Sequence, residues 1–128
     1  MAKIIYLHGF ASSANSTKAL QLKKYIFKNY SKTEIIIPNI ENNIVDAVQQ
    51  IDNLIKEFSP SALIGSSLGG FYATYFSEQY NLKCVGINPA VIPPAEMSEY
   101  LGENKNYSTG EKFLITQEQL DLLDRMGR

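Results

Sequence analysis

Residues 61–70 read SALIGSSLGG, a short apolar stretch that runs into a cluster of serines and glycines. The apolar part predicts a strand over Ser61–Ser66, and a helix is predicted directly after it, over Leu68–Tyr80. The residues from Gly65 to Gly69 fit the pattern Gly-x-Ser-x-Gly, which needs a tight strand-to-helix turn. Ser67 is therefore expected at the carboxyl end of a strand, with its hydroxyl exposed.

Strand-like and helix-like segments alternate on both sides of this unit. Strands are predicted at Lys3–Leu7, Thr33–Ile37, Ser61–Ser66 and Lys83–Asn88, and helices at Ser16–Tyr30, Ile44–Phe58 and Leu68–Tyr80. This alternation indicates an α/β fold, in which a parallel sheet has helices on both faces as a three-layer sandwich. We expect the strand order 2-1-3-4, which places the first and third strands side by side.

The last forty residues follow a different pattern. They are interpreted as a stiff loop at Pro89–Pro94, a helical turn or two at Glu96–Leu101, a polar loop at Gly102–Gly110, a short apolar stretch at Phe113–Ile115 and a helix at Gln117–Met126.

Composition excludes several functions. The 128 residues have a net charge of −1, so the chain lacks the overall basic charge that nucleic-acid binding uses. The only cysteine is Cys84 and the only histidine is His8, which leaves no metal site built on either residue type. No apolar run is long enough to span a membrane, so we expect a cytoplasmic protein with no membrane partner. The lysines at positions 18, 23, 24 and 28 are interpreted as the solvent-exposed face of the first helix.

A second motif follows the first predicted strand. Catalysis by an exposed serine needs two backbone N–H groups that stabilise an oxyanion. One is expected from the residue after the serine, Leu68, and the other from Phe10 in the segment His8-Gly9-Phe10, where Gly9 allows close approach. A phosphate-binding loop is unlike this pattern, because no Gly-Lys-Ser/Thr follows the glycines.

These motifs resemble the YqiA-like esterases of the α/β-hydrolase superfamily. The resemblance is carried by Tyr6–Phe10, Gly65–Thr74, Asn88–Val91 with Pro93, Tyr100–Gly102 and Tyr107–Gly110, and it extends over essentially the whole chain. It implies an α/β-hydrolase domain over residues 1–128, hydrolysis of short acyl esters with Ser67 as nucleophile, and no cofactor.

The resemblance also implies that the chain is C-terminally truncated. Family members continue with two more strands, which are followed by the acid and the histidine of the catalytic triad. No histidine follows Ser67 in this chain. His8 is a poor candidate for the base, because in the family its position belongs to the oxyanion loop, where the side chain has a supporting role.

Other candidate residues have simpler interpretations. Asp121 and Asp124 are the acidic candidates after the serine, but a solvated helix face explains them as well. Cys84 is expected to be a buried strand residue. Tyr107 either borders an acyl pocket or packs on the surface.

Two functions remain open from the sequence. The first is a serine esterase that acts on a small-molecule ester, weakly or not at all in this short chain. The second is a non-catalytic module that binds an acyl or carboxylate group; a flavodoxin-like binding domain would leave the paired motifs unexplained. The strand at residues 83–88 would have an unpaired outer edge, so we also expect homodimers through that edge, or aggregation.

Overall fold

A computed structural model describes residues 2–87 and 95–127 of the chain. The first part of the chain alternates strands and helices: β1 (Ala2–Leu7), α1 (Thr17–Asn29), β2 (Thr33–Ile36), α2 (Ile44–Phe58), β3 (Ala62–Ser66), α3 (Leu68–Tyr80) and β4 (Lys83–Ile87). The second part contains a short 3₁₀ helix (Ala95–Tyr100), β5 (Gly102–Lys105), β6 (Lys112–Ile115) and α4 (Gln117–Met126).

The first four strands form one parallel sheet in the order β2-β1-β3-β4. The predicted α/β class and the predicted strand order 2-1-3-4 are therefore confirmed. β1 and β3 lie side by side, with Leu7 opposite Gly65 in the register. Because parallel strands end at the same edge of a sheet, the segments that follow β1 and β3 meet there.

Helices cover both faces of this sheet. The main apolar cluster takes Ile5, Leu7 and Leu63 from the sheet and adds buried residues of α2, α3 and α4, but none of α1. Side chains alternate between the faces of a strand, so Tyr6 points away from this cluster. α1 buries Ala19 and covers that other face. None of the helices in the described ranges is long and apolar enough to cross a membrane.

Side-chain caps explain where the long helices begin. The Asn43 side chain accepts a hydrogen bond from the Asp46 N–H at the start of α2, and Ser16 caps α1 in the same way through the Ala19 N–H. These caps satisfy N–H groups that have no acceptor inside the helix. The caps thus fix the first residue of each helix and connect the helix to the loop that precedes it.

The C-terminal part corrects one prediction. Residues 102–110 were expected to form a polar loop, but Gly102–Lys105 is a strand that pairs antiparallel with Lys112–Ile115. Short strands of polar residues carry no clear alternation, so the pattern gave no signal. The predicted helical turn is present as the 3₁₀ helix, whereas the predicted loop Pro89–Pro94 lies outside the described residues.

β4 corrects a second prediction. Cys84 was expected to be buried, but it is exposed, as are most residues of the strand. The physical reason is its position: β4 is the last strand of the sheet, so nothing in the described chain lies beside its outer edge. Val85 is 53% exposed for the same reason.

Candidate active site

Ser67 occupies the turn between β3 and α3. Its backbone has φ 55° and ψ −121°, a conformation that a residue with a side chain rarely adopts. The turn is held by hydrogen bonds: the Ser67 N–H donates to the Ile87 carbonyl, and the Ser67 carbonyl accepts from Gly70 and Phe71. The residue is exposed although its neighbours Ser66 and Leu68 are buried. The fold thus presents one hydroxyl-bearing side chain at the carboxyl edge of the sheet.

Two glycines of the motif occupy positions where the backbone of other segments leaves no room for a side chain. A Cβ atom on Gly69 would lie 2.0 Å from the Leu7 carbonyl oxygen, and one on Gly65 would lie 2.1 Å from the Gly69 carbonyl oxygen. Real Cβ atoms do not approach so closely, so the backbone would have to move. Gly65 and Gly69 therefore allow α3 to begin directly against β1 and β3.

The loop after β1 lies against Ser67. A Cβ atom on Gly9 would be 3.3 Å from the Ser67 Cβ and 3.8 Å from its Oγ. Phe10 follows, with its ring 4.7 Å from that of Tyr100 between centroids. Leu68 is the first residue of α3, so its N–H has no acceptor within the helix. The structure therefore brings Gly9, Ser67 and the predicted oxyanion donors Phe10 and Leu68 to one edge of the sheet.

His8 is buried and holds two loops together. Its Nε2 accepts a hydrogen bond of 2.8 Å from the Ile40 N–H, and its Nδ1 lies 2.9 Å from the Gly9 carbonyl oxygen. Since Nε2 accepts, the proton is on Nδ1, which donates to Gly9. Burial lowers the pKa of His8 below its usual value, although the bond to Gly9 opposes this shift. Both ring nitrogens are used inside the loops, which argues against His8 as the base for Ser67.

The turn of the β5–β6 hairpin fastens the same loop, a feature that the sequence analysis missed. The Tyr107 N–H donates to the Ala11 carbonyl at 2.9 Å, and the Ser13 and Ser108 hydroxyls lie 2.5 Å apart. Ala11 has φ 55°, so the loop after Phe10 is also strained. The turn of the hairpin is thus bonded directly to the loop that carries Phe10.

Asn106 is the centre of this contact. Its side chain, in a residue only 3% exposed, donates to the Ser12 carbonyl and to Asn42 Oδ1, each at 2.9 Å. Its Oδ1 accepts from the N–H groups of Ser108 and Thr109, also at 2.9 Å. All four hydrogen-bonding capacities of the amide are used. Asn106-Tyr107-Ser108-Thr109 is a pattern typical of an Asx turn, and that was the one available signal.

The remaining candidates lie on the surface. Tyr107 is 83% exposed, so its ring is neither buried in a pocket nor packed against the part of the chain that the structure describes. Asp121 and Asp124 are exposed residues of α4, and Asp121 accepts a hydrogen bond from Gln117 on the same helix. Within residues 2–87 and 95–127, no three acidic, histidine or cysteine side chains are grouped as metal ligands.

The arrangement of strands, turn and helices is that of the α/β-hydrolase fold, and comparisons with known proteins agree. Residues 3–126 match the model of the uncharacterised protein family UPF0227, and the chain belongs to that family. It is 29% identical, over 108 residues, to the UPF0227 protein ECA1814 of Pectobacterium atrosepticum. That alignment covers 81% of this chain and 59% of the relative.

Solved structures show the same fold at low identity. Mouse alpha/beta hydrolase domain-containing protein 10 is 16% identical with a TM-score of 0.68, over 97% of this chain and 61% of that one. Est1E from Butyrivibrio proteoclasticus, solved with ferulic acid, is 11% identical with a TM-score of 0.73, over 98% and 61%. A structure from the metagenome-derived lipolytic enzymes LipS and LipT is 16% identical with a TM-score of 0.64, over 98% and 64%. The chain thus spans about three fifths of the length of each protein that it matches here.

Proposed function

We propose that this chain carries the nucleophile and the oxyanion hole of a serine esterase that acts on short acyl esters. The observation that carries the proposal is the strained, exposed Ser67 directly beside Gly9 of the neighbouring loop. A strained turn that exposes one serine at a helix N-terminus is the arrangement that nucleophilic attack on an ester carbonyl requires. The lipolytic enzymes LipS and LipT, one of whose structures shares this fold, support the same reaction class.

In the proposed reaction, Ser67 Oγ forms a bond to the ester carbonyl carbon and loses its proton to a base. The N–H groups of Leu68 and Phe10 stabilise the negative charge that develops on the carbonyl oxygen. The alcohol leaves with a proton, and water then releases the acid from the acyl-serine. Loss of a single oxyanion donor typically lowers the rate by roughly a hundredfold or more.

The base is the missing part of this mechanism. His8 is the only histidine of the chain, and its nitrogens are bonded to Ile40 and Gly9. We therefore propose that the chain alone hydrolyses esters slowly, with the oxyanion hole and substrate binding supplying the residual rate.

The engagement of both His8 nitrogens also favours a second candidate function. An exposed serine next to two N–H donors, with no base, binds a small carboxylate or acyl group without turnover. In that case the same edge of the sheet is a binding site in a pseudo-hydrolase.

Labelling by a fluorophosphonate probe, together with p-nitrophenyl butyrate hydrolysis, distinguishes the two functions. We expect the probe to label wild type and a Ser61→Ala control, because Ser61 is an exposed serine at the opposite end of β3. The Ser67→Ala variant should be neither labelled nor active. If wild type is unlabelled and inactive but its melting temperature rises with butyrate, the binding function is correct. Labelling that survives in Ser67→Ala would exclude Ser67 as the nucleophile.

A further inference from the structure

The helix α1 carries an unusual distribution of charge. The first 33 residues hold six lysines and no acidic residue, whereas the rest of the chain holds six basic and thirteen acidic residues. Four of the lysines lie in α1 (Thr17–Asn29), and Lys32 follows shortly after. Within the described ranges, none of the α1 lysines forms an ion pair with a carboxylate. This part of the surface is therefore strongly positive on a chain that is slightly negative overall.

Apolar side chains lie among these lysines. Leu20 is 49% exposed and Phe27 is 84% exposed. Because they are seven residues apart, they lie on the same side of the helix, with Lys23 and Lys24 between them. We call these four residues the α1 patch.

The α1 patch borders a groove at one end of the sheet. The groove has a volume of about 440 Å³ and runs between the patch and Thr33, Glu34 and Ile35 of β2. β2 is the outermost strand at this end, on the far side of the sheet from β4. The buried side of α1, with Ala19 and Ile26, already covers the sheet, so the patch is not needed for the core.

The charge decides which partner this surface fits. A second copy would bring its own Lys23 and Lys24 against the first pair, and like charges across an interface are unfavourable. A negatively charged partner with an apolar interior matches both the lysines and the exposed Phe27. Lysine and aromatic side chains on a helix that lies flat are typical of proteins that bind anionic membrane surfaces.

We propose that the α1 patch docks on an anionic phospholipid bilayer, with Phe27 and Leu20 inserted at the headgroup level and the lysines at the lipid phosphates. The expectation of no membrane partner rested on the absence of a spanning segment, which says nothing about docking at the surface. This proposal goes beyond the proposed esterase function and does not depend on Ser67.

Cosedimentation with vesicles tests the proposal. Wild type should bind vesicles of equal parts phosphatidylglycerol and phosphatidylcholine at low ionic strength, and should not bind vesicles of phosphatidylcholine alone. High salt should release it, because screening weakens the lysine contacts. The Ser67→Ala variant should bind like wild type, which separates this result from the outcome for the catalytic proposal.

Two pairs of matched variants locate the binding surface. Lys23→Gln with Lys24→Gln should weaken binding by roughly thirtyfold, since each lysine near an anionic membrane contributes about a fivefold effect. The control, Lys105→Gln with Lys112→Gln, removes two exposed lysines of the hairpin and should bind like wild type. Phe27→Ala should weaken binding by about tenfold, whereas Tyr107→Ala, at an equally exposed aromatic residue, should have no effect.

Several results would overturn the proposal. One is the absence of binding to anionic vesicles at low ionic strength. Another is binding that is unchanged in Phe27→Ala, which would mean that Phe27 does not insert. A third is binding to heparin or an oligonucleotide, but not to vesicles, that depends on the same two lysines. Circular dichroism of each variant checks that the fold is intact, as expected for exposed positions.

Discussion

The Asn106 side chain connects three loops, so its removal is a direct test of the contacts described around the site. In Asn106→Ala, the Ser12 carbonyl and Asn42 Oδ1 lose a donor, and the N–H groups of Ser108 and Thr109 lose an acceptor. The residue is 3% exposed, so the substitution also leaves a small cavity.

The expected loss of stability follows from these four hydrogen bonds. A typical hydrogen bond contributes about 0.5–1.5 kcal/mol net, which gives roughly 2–6 kcal/mol for four. Ser108 and Thr109 are exposed, so water replaces part of what their N–H groups lose. We therefore expect the free energy of unfolding to fall by about 2–4 kcal/mol.

Urea denaturation measures this loss, with Asn53→Ala as the control. Asn53 is an exposed asparagine of α2 whose Oδ1 accepts a hydrogen bond from the Gln49 side chain. We expect its replacement to change the stability by less than about 0.5 kcal/mol. Hydrogen exchange of the amides in residues 9–13 should become faster in Asn106→Ala, because the loop loses the hydrogen bond from Asn106 to the Ser12 carbonyl. A stability loss as small as in the control, with unchanged exchange, would refute the argument that Asn106 fastens the loop.

Three further predictions concern the turn, the buried histidine and the sheet edge. Gly69→Ala should lower the free energy of unfolding by about 3 kcal/mol or more, since the new Cβ would lie 2.0 Å from the Leu7 carbonyl oxygen. Thr74→Ala, at an exposed position of α3, is the control. A Gly69→Ala variant as stable as Thr74→Ala would contradict the clash. Burial holds the folded-state pKa of His8 below its usual 6.5, so the unfolded chain binds more protons than the folded chain. The free energy of unfolding should therefore decrease as pH falls from about 6.5 through the folded-state pKa. Urea titrations at several pH values should show this slope, and a His8→Gln variant with the same slope would count against it. We also propose that two copies pair through the outer edge of β4; light scattering should then show a dimer fraction that rises with concentration and is lost in Val85→Lys, and a monodisperse monomer at tens of micromolar would exclude it.

The sequence was most informative where segments are long and periodic. The helices α1, α2, α3 and α4 and the parallel strands lie close to their predicted ranges, because apolar spacing reports directly on which side of an element is buried. The strand order also followed, since right-handed crossovers between alternating strands and helices leave few topologies. The fold class could therefore be predicted from the sequence alone.

Local patterns failed where burial depends on neighbours distant in sequence. Cys84 has the apolar surroundings of a buried strand, but the strand lies at an end of the sheet and is exposed. Both hairpin strands are short and the first, Gly102–Lys105, is polar. The turn between them is bonded to the Ala11 and Ser12 carbonyls, on a loop more than ninety residues earlier in the chain. No window of sequence contains both partners of such a contact.

The same distinction between local and long-range contacts holds for the residues of the candidate site. The sequence by itself determined that Ser67 lies in a strand-to-helix turn, because Gly65 and Gly69 are spaced as such a turn requires, and it identified the loop of His8, Gly9 and Phe10 as the neighbouring element. Only the tertiary structure decided which contacts each residue makes there: Gly9 lies against Ser67, the two nitrogens of His8 are bonded to Ile40 and Gly9, and Asn106 donates to the Ser12 carbonyl of the same loop. The physical reason is that motifs encode local backbone geometry, whereas hydrogen-bond partners and burial depend on where the whole chain places its other segments.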